Sequence, residues 1–194
     1  MSYASWDREA AVARALKHAE GCSASEADGS IWNFAFGSNV NAAKVKSRGM
    51  RPVESLRGVL PAWSLLFNHN GGYGNIETIT KIRSSKYDLS RLPEPMPEET
   101  HGVLLRLSRR EFAELAWQEY AYDTVEVAVE IYPDDCNGAK RVQHALAFKT
   151  SACALTTTRQ LPSSRYMKLI AEGAHDSKLS APYCSWLDRI KPDH

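Results

Sequence analysis

Residues 103–132 read VLLRLSRREFAELAWQEYAYDTVEVAVEIY, and three kinds of periodicity follow one another within them. Val103 to Leu107 is a short apolar run of strand type. Ser108-Arg109-Arg110-Glu111 then fits an S-x-x-E capping box, in which the serine and the glutamate each satisfy an exposed amide of the other. The helix it opens should run to about Glu119 or Tyr120. From Thr124 to Tyr132 the pattern changes to strict alternation, with Val125, Val127, Val129 and Ile131 on one face and Glu126 and Glu130 on the other. A period of two is the mark of a strand with one buried side. Pro133 to Gly138 reads as a turn, and Arg141 to Lys149 pairs back as the next strand.

Working outward, Ile31 to Phe36 is an apolar and aromatic strand that ends in Gly37-Ser38-Asn39. Asn41 can cap a short helix through Arg48. Val53 to Val59 and Trp63 to Asn68 are strands around Pro61, Asn68 to Gly74 is a loop rich in Asn and Gly, and Asn75 to Ile82 is β-like. Ser84 to Glu99, proline-rich and mixed in charge, is a loop. Two helices finish the chain: Pro162 to Glu172, closed by Gly173, and Pro182 to Ile190. At the other end Ser5 to His18 is helical and Glu20 to Ser30 a polar linker. The expected organisation is an N-terminal helix and linker over 1–30 and a core domain over 31–194. The order of elements predicts an α+β domain, a mainly antiparallel sheet or small barrel with helices around it.

A chain of 194 residues can bury a substantial core, and 43% apolar with 24% charged residues is ordinary globular composition. A net charge of +1 gives no reason to expect nucleic acid or an anionic membrane as partner. No segment has the apolar length of a membrane span, and MSYASWDREAAVARAL lacks the apolar core of a signal peptide. Cys22, Cys136, Cys153 and Cys184 are far apart, which fits free thiols in a reducing, cytoplasmic setting. The six histidines show no ligand spacing, so no metal site is expected. The N-terminal helix packs either on the core or on a second copy of the chain, which leaves a homodimer open.

Glu119 is the residue out of place. Phe112, Leu115 and Ala116 form the apolar stripe of their helix, and the next position on that stripe is Glu119, seven residues after Phe112. This spacing aims a carboxyl group inward at the helix C-terminus. Burial and the helix dipole both disfavour its charge there, and such a group suits proton transfer. The plainer alternative is a fraying last turn in which Glu119 pairs with an arginine at the surface. The second feature is Phe36-Gly37-Ser38-Asn39, where glycine permits close backbone approach and successive amides can cradle an oxyanion, though the same residues make an ordinary turn.

Taken together these pieces resemble the γ-glutamylcyclotransferase family. The marks are Phe34-Ala35-Phe36-Gly37-Ser38-Asn39, then Gly102-Val103 leading to the helix with Gln118-Glu119, then Pro162-Ser163-Ser164-Arg165-Tyr166 followed by Ile170, Gly173 and Ala174. The resemblance spans about Ile31 to Ile190. It implies a small mixed β-barrel with flanking helices around a cavity, and a cofactor-independent reaction. In that reaction the α-amino group of a γ-glutamyl compound attacks its own γ-carbonyl, releasing an amine and 5-oxoproline. It further implies Glu119 as catalytic acid/base, the backbone of Gly37, Ser38 and Asn39 with Phe36 as the seat of the glutamyl end, and Tyr166 as a pocket residue. The family usually has Tyr where this chain has Phe36, and its glutathione-specific branch usually has Gly-Ser-Leu in the loop. The implied substrate is therefore a γ-glutamyl amino acid or a γ-glutamylated small molecule. Alternatives are a γ-glutamylamine cyclotransferase, a natural-product tailoring enzyme that removes a γ-glutamyl group, and a non-catalytic small-molecule binder on the same fold.

Overall fold

The alternating valines meet a closed wall. In the computed structural model, which describes residues 7–85, 87–90, 92–156 and 161–192, Val127, Val129 and Ile131 are buried while their even-numbered neighbours face outward or are half-buried. The strands are β1 (Ile31–Ala35), β2 (Glu54–Pro61), β3 (Trp63–His69), β4 (Tyr73–Thr78), β5 (Glu99–Leu107), β6 (Tyr122–Ile131) and β7 (Val142–Thr150). The helices are α1 (Arg8–Glu20), α2 (Ala42–Ser47), α3 (Ile79–Ser84), α4 (Arg109–Gln118), α5 (Ser164–Asp176) and α6 (Ala181–Asp188). This is the α+β class read from the sequence.

Five strands close a barrel in the order β1-β5-β2-β6-β7, with β3 and β4 as a separate hairpin. Every pairing is antiparallel except the closing one, where β1 meets β7 in parallel at Asn33 and Leu146. Asn33 is buried, and its side-chain amide donates to the Leu146 carbonyl at 2.8 Å. A buried amide must find such a partner, so this residue both satisfies itself and fastens the seam. Leu104, Leu107, Ala145, Leu146 and Ala147 complete the interior beside the β6 face.

Several expectations are corrected by tertiary context. The β-like run from Asn75 stops at Thr78, because the Thr78 side chain accepts from the Lys81 amide and caps α3. Gly173 does not close its helix: α5 continues to Asp176. Its missing side chain serves packing instead, since a Cβ there would lie 2.6 Å from the Asn41 amide nitrogen. The N-terminal helix begins at Arg8 with Asp7 as its cap, and its expected first residues Ser5 and Trp6 lie outside the described residues. The polar linker is tied down, with Trp32 donating to Glu26 and Arg106 to Asp28. In the proline-rich loop, Leu89, Leu92 and Met96 cover Leu66, Ile79 and Ile82, and the Trp186 indole donates to the Pro93 carbonyl. No helix is long and apolar enough to cross a membrane among the described residues.

The Gly173 contact sets local preference against packing. Alanine is worth about 1 kcal/mol more than glycine in a helix interior, but the colliding atoms belong to the Asn41 backbone, which cannot rotate aside. Gly173→Ala should therefore lower stability, by about 1–3 kcal/mol. Urea denaturation midpoints of the two proteins test this, and a higher midpoint in the variant would show that the contact relaxes freely.

Candidate active site

A cavity of about 520 Å³ opens where β1 ends, walled by the 36–39 loop, α2, the β3–β4 hairpin, the end of α4 and the start of α5. Each wall is positioned by a local device. The capping box at Ser108 and Glu111 starts α4, and burial of Phe112, Leu115 and Ala116 orients it. Glu119 is the helix's C-terminal cap: its amide donates to Leu115 and its carbonyl accepts from Tyr122, so the chain turns directly from α4 into β6. Asn41 caps α2 as expected, accepting from the Lys44 amide at 3.0 Å. Ser163 caps α5 through the Tyr166 amide.

The loop and α5 meet at one hydroxyl. Tyr166 accepts the Gly74 amide at 3.0 Å. A Cβ at either Gly37 or Gly74 would lie 2.9 Å from that oxygen, so both glycines are required by close approach. Burial pushes the Tyr166 hydroxyl well above the usual phenol range, against the stabilising pull of the Gly74 and Ser38 backbone. Tyr73 stands edge-on to its ring at 5.1 Å.

Glu119 points into the cavity, its side chain 17% exposed. Its Oε1 receives Arg48 Nη1 at 2.5 Å and Asn39 Nδ2 at 3.3 Å. The plainer sequence reading, an arginine partner, is thus half right: the pairing exists, but inside the cavity and not on the surface. The arginine supplies the partner that an inward-facing carboxylate requires. Both contacts use one oxygen, which leaves Oε2 without a hydrogen-bond partner among the described residues. Asn39 Oδ1 is buried and likewise unpartnered there. Tyr122, whose hydroxyl donates to the Gly74 carbonyl at 3.1 Å, stacks on His69 with ring centroids 4.2 Å apart. Burial pushes the Tyr122 hydroxyl upward. It pushes His69 downward, toward the neutral imidazole, although Glu119 pulls the other way.

All the residues singled out from sequence, Glu119, Phe36, Gly37, Ser38, Asn39 and Tyr166, line this one cavity. Arg48, Tyr122, His69 and Tyr73 line it as well and were not foreseen. For Arg48 a faint signal existed, since it ends the helix that Asn41 caps. The others have no local signature.

A family model described as the AIG2-like family matches residues 99–187. The chain is 24% identical over 175 residues to a protein named gamma-glutamyl cyclotransferase gliK from Aspergillus fumigatus, covering 84% of this chain and 63% of that protein. It therefore spans less than two thirds of that relative's length. Its fold matches a solved γ-glutamyl cyclotransferase with a TM-score of 0.64 at 19% identity, over 84% of this chain and 89% of the other.

The fold is γ-glutamylcyclotransferase-like.

A yeast γ-glutamyl cyclotransferase specific to glutathione shares the fold at a TM-score of 0.55 and 12% identity, over 84% of this chain and 96% of that one. Within this γ-glutamylcyclotransferase-like fold, Phe36 presents a plain ring to the cavity. Tyr73, Tyr120, Tyr122 and Tyr166 are the tyrosines of the surrounding walls among the described residues.

The His69 environment has a thermodynamic consequence. Its folded-state pKa lies below the ordinary value of about 6.5, so the unfolded chain takes up the proton first as pH falls. The stability associated with neutral His69 is complete above that ordinary value and is lost as pH falls from it toward the folded-state value. His69→Gln should flatten the decline of the urea midpoint between about pH 7.5 and 5.5 relative to the parent. Equal slopes for the two proteins would show that burial does not perturb this imidazole.

Proposed function

We propose that this chain is a γ-glutamylcyclotransferase that converts a γ-glutamyl amino acid or γ-glutamylated small molecule into 5-oxoproline and the freed amine. The observation that carries the reading is the Glu119 carboxylate, facing the cavity with Oε1 held by Arg48 and Asn39 and Oε2 open to a ligand. A carboxylate held by one oxygen is oriented without losing its second acceptor, as a base in a proton transfer requires.

The substrate's α-ammonium gives a proton to Glu119 Oε2. The resulting amine attacks the γ-carbonyl carbon, forming the lactam C–N bond. As the tetrahedral centre collapses, the original amide C–N bond breaks, and Glu119 returns the proton to the departing nitrogen. The ring nitrogen gives up its second proton by the same route, so the amine leaves in its ammonium form. The carbonyl oxygen gathers negative charge in between, and the backbone at Gly37, Ser38 and Asn39, opening the turn after β1, faces it. Ring closure joins two parts of one molecule, so holding the chain folded back supplies much of the rate. Tyr166 contributes indirectly: by seating on Gly37 and Gly74 it sets the distance between the loop and the β3–β4 hairpin.

Glu119→Gln keeps shape and removes the base, so 5-oxoproline release should fall by on the order of 100-fold or more while the circular dichroism spectrum is unchanged. Activity within a few-fold of the parent would remove Glu119 from the mechanism.

The product separates this chemistry from hydrolysis on the same scaffold. The free-amine substrate should give 5-oxoproline from the earliest times by mass spectrometry, and its N-acetylated form, shown to bind as a competitor, should give nothing. Glutamate appearing first would identify a γ-glutamyl hydrolase.

A further inference from the structure

The charges lining the cavity do not balance. Among the described residues they are Lys44, Arg48, Arg165 and Glu119, three cations against one carboxylate. Arg48 is engaged with Glu119. The side chains of Lys44 and Arg165 form no ion pair among the described residues. The protein as a whole is close to neutral, at +1, so the surplus does not follow from a general basic character of the chain.

The two cations stand on different walls. Lys44 is half-buried on α2, four residues before Arg48, and that spacing puts both on one helix face, toward the cavity. Arg165 is exposed in the first turn of α5, immediately before Tyr166. The inner wall holds Glu119, Asn39 and the Tyr166 hydroxyl; Arg165 stands toward solvent.

A γ-glutamyl amino acid carries one ammonium and two carboxylates, whereas a γ-glutamylamine has only the glutamyl carboxylate. With the ammonium at Glu119 and the glutamyl end against the 37–39 loop, the departing half extends away from Glu119 toward the rim. We infer that Lys44 and Arg165 form a subsite for a carboxylate on the departing half, so the preferred leaving group is an amino acid or peptide and not a neutral amine. This rests on the γ-glutamyl reading above. A carboxylate entering here gains two cationic partners without breaking an ion pair, because neither cation is paired with a carboxylate among the described residues.

The probe pair is γ-glutamylalanine and γ-glutamylethylamine, which differ only in that carboxylate. The parent should favour γ-glutamylalanine in kcat/KM by roughly tenfold, a preference that narrows as salt is raised. In the double variant Lys44→Gln/Arg165→Gln the ratio should fall toward one, and in Arg165→Glu it should drop further. A parent with no preference, or a ratio unchanged in the variants, overturns the subsite. Calorimetric binding of the two compounds to Glu119→Gln reads the same preference without turnover. Preferential binding there, together with a parent that forms no 5-oxoproline, would leave the subsite standing and remove the cyclotransferase reading. Equal binding of both compounds, or binding of neither, overturns the subsite.

Discussion

The Tyr166 hydroxyl sits where three separate stretches of chain converge: the loop after β1, the start of β4 and the first turn of α5. It accepts the Gly74 amide, and the two glycines at 37 and 74 allow backbone to come within contact of it. A buried amide that lost this acceptor would cost about 1–3 kcal/mol, more than a typical hydrogen bond contributes. The asymmetry makes the contact a constraint on geometry as well as a source of stability. With the loop held against the hairpin, Asn39 lies within reach of Glu119, and the cavity has its depth. Any side chain at Gly37 or Gly74 would push these walls apart.

Glu119 owes its surroundings to elements that are distant in sequence. It terminates α4, where backbone carbonyls point their negative ends at it. Arg48, which caps the C-terminus of α2, supplies the compensating charge from across the cavity. Tyr122 and His69 stack beside it, and burial keeps the imidazole toward its neutral form and the phenol protonated. The carboxylate thus has one strong cationic partner, the Asn39 amide, and uncharged aromatic neighbours. This arrangement keeps the group oriented while leaving Oε2 accessible.

The N-terminal helix takes part in the same construction from outside. α1 packs on α4, and its buried residues are Ala11, Ala15 and Ala19. Small residues let the two helices come close. Arg8 lies over the rings of Trp117 and Tyr120, at 4.0 and 4.3 Å, on either side of the segment that carries Glu119. His18 bonds Thr124 and Arg109 pairs with Glu20, so α1 touches both ends of α4 and the beginning of β6. Of the two packings open to this helix from sequence, the core supplies one.

What could be read from the residues alone is what depends on near neighbours. The capping box at Ser108, the cap at Asn41, the valine alternation of β6 and the inward aim of Glu119 are all consequences of spacings within about ten residues, where backbone geometry dictates which side chains share a face. The order of strands and helices was enough to indicate an α+β domain. Contacts between remote segments were decided by the fold. Gly173 has the composition of a helix stop, yet its role is to admit the Asn41 backbone, which lies far away in the chain. Asn75 to Ile82 looks uniformly β-like, but Thr78 caps a helix that packs under the proline-rich loop. The parallel seam at Asn33 and the pairing of Arg48 with Glu119 join residues more than seventy positions apart. No local pattern encodes such partners, because the free energy that selects them arises only when the whole barrel has closed.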